Sequence, residues 1–155
     1  MMSQKTICKT EFETWEVSHS LADKLVPGDV VLLTGTLGAG KTTFVKGVVE
    51  SLGGNGAEVT SPTFTLVKTY QVTSPVIKRV YHVDLYRLKK EEQETLALAD
   101  VLEDAEGIVL VEWAEKLSSD TPIGTYRVSI KHLKDDSREI TASEIRKEGR
   151  ADRLK

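Results

Sequence analysis

With 155 residues, 39% of them hydrophobic and 29% charged, the chain has the composition of one globular domain with its own core, which argues against disorder. A formal charge of −3 and only 6% aromatic residues argue against a freestanding nucleic-acid binder, which needs a basic surplus and stacking surfaces. The single cysteine, Cys8, excludes an internal disulfide, and no apolar run is long enough for a signal core or a bilayer, so the chain reads as cytoplasmic and without a membrane partner.

Taken in order, residues 6–12 mix β-branched and polar side chains and predict a strand, with Cys8 as a small hydrophobe in it. Residues 13–25 place Trp15, Leu21, Ala22 and Leu25 at helical spacing, ahead of the Pro27-Gly28 turn. The run Val30-Val31-Leu32-Leu33 predicts a strand over 29–34 buried on both faces. A glycine-rich loop at 35–40 leads to a helix over 41–52, closed by Gly53-Gly54. Strands are predicted at 63–67, after Ser61-Pro62, and at 77–84, and the short link through Ser74-Pro75 makes them an antiparallel hairpin. Leu96, Ala99 and Leu102 predict a helix over 89–102, and Gly107 to Glu112 (GIVLVE) a second central strand. Late strands follow at 125–131 and 139–142, and the polar tail from about 143 is expected to be helical, frayed or partly disordered. The alternation predicts an α/β fold, a three-layer sandwich around a mixed, mainly parallel sheet, as one domain over 1–155. Strand order is not readable from the pattern.

Gly35-Thr36-Leu37-Gly38-Ala39-Gly40-Lys41-Thr42 satisfies G-x-x-x-x-G-K-[ST], a pattern that a chain of this length meets by chance about one time in 200. Its position between an apolar strand and a helix is what the chemistry requires. Backbone N–H groups of the loop and the helix N-terminus converge on phosphate oxygens. The loop and Lys41-Thr42 are the expected phosphate cradle of a P-loop NTPase type fold. Lys41 reaches the β- and γ-phosphates and the Thr42 hydroxyl ligates Mg²⁺.

A cradle gives binding, not a reaction. Asp84 and Glu112 each close an apolar strand, where a carboxylate can hold Mg²⁺ or orient an attacking water; an ordinary strand-end acid is the alternative for each. The more uniformly apolar run before Glu112 places it on a central strand beside the phosphate loop. Ser61, Pro62 and Thr63 form a hydroxyl-rich stretch suited to a switch that senses the γ-phosphate, although Ser-Pro is also common turn chemistry. His82 leaves the same strand face as Asp84, either as its polar partner or as a satisfied core histidine. Cys8 and the three histidines lack metal-ligand spacing, so no zinc site is expected.

Four elements now stand in order: GTLGAGKTT from Gly35, SPTFTLV from Ser61, HVDLYRL from His82, and Glu112-Trp113. Together they resemble the bacterial TsaE (YjeE) family, small P-loop ATPases needed to make threonylcarbamoyladenosine in tRNA. The resemblance runs from about Glu13 to Trp113, and no family motif is recognised after about Leu133. It implies Gly38, Ala39, Gly40, Lys41, Thr42 and Thr43 as the residues that cradle the phosphates, Thr42 and Glu112 as the Mg²⁺ side, and Lys41, Asp84 and Glu112 as the groups that act on ATP. It also implies Ser61-Pro62-Thr63 as a mobile switch, Trp113 as either a packing or a functional residue, and Glu11 to Thr14 near the adenine. The implied activity is weak Mg²⁺-dependent ATP hydrolysis, stimulated by TsaD-like and TsaB-like partners that carry the transfer chemistry and most of the tRNA contact. Arg79 and Arg87 are the in-chain candidates for a charge-stabilising arginine, a group worth about 10³–10⁵ in rate, with a structural or partner-facing role as the alternative for Arg87. Two other classes use the same cradle: a small-molecule kinase, which needs an acceptor pocket, and a nucleotide-dependent scaffold without essential hydrolysis. Residues 91–106 carry seven acids and no Lys or Arg, which leaves +4 for the remainder, too little for a tRNA footprint.

Overall fold

Seven strands form one sheet in the computed structural model, which describes residues 3–36, 38–62, 66–87, 98–117 and 124–145. The elements are β1 (Ser3–Cys8), α1 (Glu11–Ala22), β2 (Val30–Thr34), α2 (Lys41–Ser51), β3 (Val67–Gln71), β4 (Arg79–Asp84), α3 (Leu98–Leu102), β5 (Gly107–Glu112), β6 (Tyr126–His132) and β7 (Arg138–Glu144). The strand order is β1-β7-β6-β2-β5-β4-β3. The four neighbours β6, β2, β5 and β4 are parallel, while β3 and the β7–β1 pair add antiparallel edges. Because β1 is antiparallel to β7, which is itself antiparallel to β6, five of the seven strands point one way. The sheet is thus mixed and mainly parallel.

Alternation along the strands divides two cores. Val31 and Leu33 of β2, Ile108 and Leu110 of β5, and Val128 and Ile130 of β6 pack beneath Phe44, Val45, Val48 and Val49 of α2 and Leu21 of α1. Val30, Leu32, Val109 and Val111 face the other way, against Val101 of α3 and Ala114. All six residues of β5 are buried, as a strand covered on both faces must be. Each such aliphatic side chain contributes roughly 1.5–3 kcal/mol by leaving water.

Several boundaries differ from the sequence expectation. The first strand ends at Cys8, because Thr10 caps α1: its hydroxyl accepts from the Glu13 amide at 3.1 Å, and the Glu13 carboxylate accepts from the Lys9 amide at 3.2 Å. Burial pushes the Cys8 thiol above its ordinary value, away from nucleophilic use. The strand expected at 63–67 begins only at Val67, since Leu66 takes a left-handed φ of 67°; residues 63–65 lie outside the described residues. The expected hairpin is present as β3–β4. Of the helix expected at 89–102, the part from 98 is α3 and the rest lies outside the described residues. At the C-terminus β7 continues to Glu144, and the tail from 146 also lies outside them. No helix among the described residues is long and apolar enough to cross a membrane.

Candidate functional site

The parallel strands β2, β5 and β4 end side by side, and the described residues of the phosphate loop, with Ser61, Asp84 and Glu112, gather at those C-terminal ends. In register, Leu33 faces Glu112 and Glu112 faces Asp84. This is where crevices form on open α/β sheets. Beyond β2 the chain turns through the phosphate loop, and α2 starts at Lys41 with Gly40 as its N-cap, at φ 111° and with no side-chain cap. The first-turn N–H groups are therefore presented to the cleft rather than to a capping oxygen. Gly35 requires the absence of a side chain: a Cβ there would sit 2.5 Å from the Ile130 carbonyl oxygen of β6. Leu37 lies outside the described residues.

Lys41 is buried to 4% exposure, and its ammonium donates to the carbonyls of Gly35 at 2.5 Å and Thr36 at 2.9 Å. The Trp113 ring lies 3.9 Å from the same nitrogen. Burial pushes the Lys41 pKa below its ordinary value, against the opposing pull of Glu112, Glu115 and Asp84. The lysine is thus folded back on its own loop, with its positive charge incompletely solvated.

The Thr42 hydroxyl lies 3.1 Å from both carboxylate oxygens of Glu112. These are hard oxygen donors of the kind Mg²⁺ prefers when phosphates supply the rest of the shell. Among the described residues no group of three or more His, Cys, Asp or Glu is arranged to hold a metal. A site shared with phosphates does not need one. Asp84 is held from two sides: Ser61 donates its hydroxyl proton at 2.6 Å, and the Tyr86 amide donates at 2.8 Å. The Pro62 carbonyl accepts from Leu66 at 2.9 Å, while Thr63 lies outside the described residues. A cleft of about 300 Å³ is lined by Gly38, Lys41, Thr42, Ser61, Asp84 and Glu112, together with Trp113 and Tyr86.

Trp113 takes a left-handed conformation, φ 60°, directly after β5. That turn carries the indole over Lys41 and against Tyr86, 4.8 Å between ring centroids. It is a strained position for an aromatic residue, and the strain sits at the cleft. His82 is fully buried, and its Nε2 hydrogen-bonds Glu112, not Asp84. Its Nδ1 lies 3.2 Å from the Tyr70 hydroxyl. A second groove, about 380 Å³, is lined by Glu11, Phe12, Trp15, Lys46 and Glu50 and meets the first at Thr43, which lines both.

Arg79 does not reach the site. It lies at the start of β4 and binds Asp104 through Nε at 2.6 Å and Nη2 at 3.0 Å. Arg87 is exposed in the turn after β4. Two contacts escaped sequence reading. Arg138 donates from Nε to the Ala39 carbonyl at 2.9 Å, and Glu115 accepts from the Gly35 amide at 3.3 Å. Both brace the phosphate loop, and neither residue belongs to a motif that spacing could reveal.

The model of the family described as "Threonylcarbamoyl adenosine biosynthesis protein TsaE" matches residues 8–140. The match therefore takes in Arg138, beyond the last recognised motif. The tRNA threonylcarbamoyladenosine biosynthesis protein TsaE of Bacillus subtilis is 41% identical over 133 residues, covering 86% of this chain and 80% of its own. The protein of that name from Rickettsia bellii is 37% identical over 139 residues, covering 89% and 93%. A crystal structure of Bacillus subtilis YdiB superposes with a TM-score of 0.70 at 33% identity, covering 99% of this chain and 91% of that one. With the loop, the strand-end acids and the parallel core in the arrangement of a P-loop NTPase type fold, these matches make the chain a member of the TsaE family.

Proposed function

We propose that this protein binds and hydrolyses ATP with Mg²⁺, and that it serves threonylcarbamoyladenosine formation on tRNA as an accessory to a TsaD–TsaB-like complex. The observation that carries the reading is the Thr42 hydroxyl within 3.1 Å of both Glu112 oxygens, at the mouth of an uncapped helix N-terminus. Thr42 and Glu112 would hold Mg²⁺, which when bound neutralises phosphate charge. Lys41 exchanges the Gly35 and Thr36 carbonyls for phosphate oxygens. Gly38, Ala39, Gly40 and Thr43 bind the phosphate chain through the backbone. Asp84, beside Ser61, orients the attacking water, with Ser61-Pro62-Thr63 as the segment that responds to the γ-phosphate. The adenine lies toward the groove of Phe12 and Trp15, because Thr43 opens onto it.

The position of Arg79, one of the two arginines named from the sequence, is in keeping with partner dependence. Arg79 is committed to Asp104 and Glu106 at the far ends of the strands, so it cannot stabilise charge on a γ-phosphate. A partner supplying that charge would raise the rate by about 10³–10⁵. The test measures ATP turnover alone and with the TsaD-like and TsaB-like proteins, and threonylcarbamoyladenosine in tRNA after depletion. Slow turnover alone, strong stimulation and loss of the modified base are expected. Unchanged modification would remove the reading.

A further inference from the structure

His82 lies inside the molecule and touches no solvent, yet both ring nitrogens are engaged. Nε2 bonds Glu112 Oε2, one of the two oxygens that the Thr42 hydroxyl also approaches. Nδ1 faces the Tyr70 hydroxyl at 3.2 Å. The same hydroxyl lies 3.4 Å from the carbonyl oxygen of Thr60, the residue before Ser61. Lys68 Nζ holds the Thr60 hydroxyl at 2.7 Å, and Ser61 holds Asp84. Both strand-end acids are therefore connected to one short segment: Asp84 directly, Glu112 through His82 and Tyr70.

The donor count limits this chain. A carboxylate only accepts, so Nε2 donates to Glu112; in the neutral tautomer that this bond selects, Nδ1 is an acceptor. Tyr70 has one proton for two acceptors. Burial pushes its hydroxyl above the ordinary value, so it keeps that proton. Given to Nδ1 at the shorter distance, the proton leaves the Thr60 carbonyl with the weaker contact. Should Glu112 move toward the cleft with Nε2 still bonded to it, the ring follows, Nδ1 draws away from the Tyr70 hydroxyl, and that proton turns to the Thr60 carbonyl.

We propose that His82 and Tyr70 are positioning residues that tie Glu112 to the Thr60–Pro62 segment, so that drawing Glu112 toward a cation shifts the Tyr70 hydroxyl from His82 to the Thr60 carbonyl and tightens that segment. The inference rests on the ATP and Mg²⁺ reading above and adds to it a route from the metal side to the switch. Outer-shell partners of a metal-ligating group typically change metal affinity 10–100-fold when removed. One hydrogen bond gained at Thr60 corresponds to roughly fivefold slower local exchange.

The test uses the full chain with a non-hydrolysable ATP analogue and measures three quantities. These are analogue affinity without Mg²⁺, the Mg²⁺ concentration needed for full binding, and hydrogen exchange over residues 56–66 with and without Mg²⁺. Wild type is expected to show slower exchange, roughly fivefold, when Mg²⁺ joins the analogue. Tyr70→Phe keeps the ring and removes only the hydroxyl. It should abolish that Mg²⁺-dependent change while metal-free affinity stays within about twofold, which a purely structural role would not produce. His82→Ala should raise the Mg²⁺ requirement roughly 10–100-fold, and His82→Gln, which can still donate to Glu112, should recover part of it without restoring the change in exchange. A Mg²⁺-dependent change that survives in Tyr70→Phe, or that is absent from wild type, overturns the coupling alone. Failure of wild type to bind the analogue at all overturns the ATP reading and the coupling with it.

Discussion

The two ends of the parallel strands use the same chemistry to opposite effect. At their N-terminal ends Arg79, Asp104, Glu106 and Tyr81 satisfy one another: Asp104 takes a two-point grip from Arg79 and the Tyr81 hydroxyl at 2.5 Å. The Arg79 and Tyr81 bonds hold the Asp104 carboxyl well below the usual carboxylate range. At the C-terminal ends Lys41, Asp84 and Glu112 are more deeply buried, yet Lys41 has only carbonyls and an aromatic face as immediate partners. A closed set of charges supports the fold. An incompletely matched set in a cleft retains capacity for a ligand.

Substitutions should separate the two ends, beginning with the largest effect. On the proposed reading Lys41→Met removes the cation that meets the phosphates and is expected to weaken nucleotide binding by about 100-fold or more. Because burial lowers the Lys41 pKa, the unfolded chain holds that proton more firmly than the folded one. Wild-type stability relative to Lys41→Met should therefore increase as pH rises from the lowered folded value toward the unfolded 10.5. Calorimetric titration and thermal unfolding read both quantities. A severe loss of stability with intact affinity would reverse the assignment of the two ends.

Arg79→Met should do the opposite: a melting temperature lower by roughly 2–4 °C at pH 7, modest because the guanidinium is partly solvated, with nucleotide affinity unchanged. Since the folded Asp104 carboxyl titrates lower than the unfolded one, the stability it contributes is present above the ordinary carboxylate value of 3.8 and is lost below it. The gap between Arg79→Met and wild type should accordingly narrow as pH falls below that value. Weakened nucleotide binding in this variant would show that the far end is coupled to the cleft. Tyr81→Phe, which removes one hydrogen bond to the same carboxylate, should lower the midpoint by only about 1–2 °C in the same melts.

Local signals carried much of this. The GIVLVE run predicted β5 at its observed bounds, and the glycine pattern located the loop and the start of α2. Thr10 and Glu13 spell a capping signature that ends the first strand at Cys8, although the β-branched and polar mixture runs on to Phe12. The left-handed turn at Leu66 has no such mark, because neither residue type nor alternation announces it. The pairing of His82 with Glu112 rather than Asp84 depends on β4 and β5 lying in register, a relation between distant segments. Arg138 escaped for the same reason: only the closing of β7 on β6 brings it to the phosphate loop.

That last contact has a consequence for how the protein is made. The phosphate loop is supported by partners that the ribosome delivers late: β5 and β6 on either side of β2, and Arg138, which lies 99 positions after Ala39. At roughly 5–20 residues per second, the motif waits about 5–20 s in the nascent chain before its last support emerges. During that interval the apolar β2 has neither sheet neighbour, and the motif that identifies the protein most readily is among the last parts to take shape. An apolar strand left unpaired for that long is the kind of segment that chaperones shield.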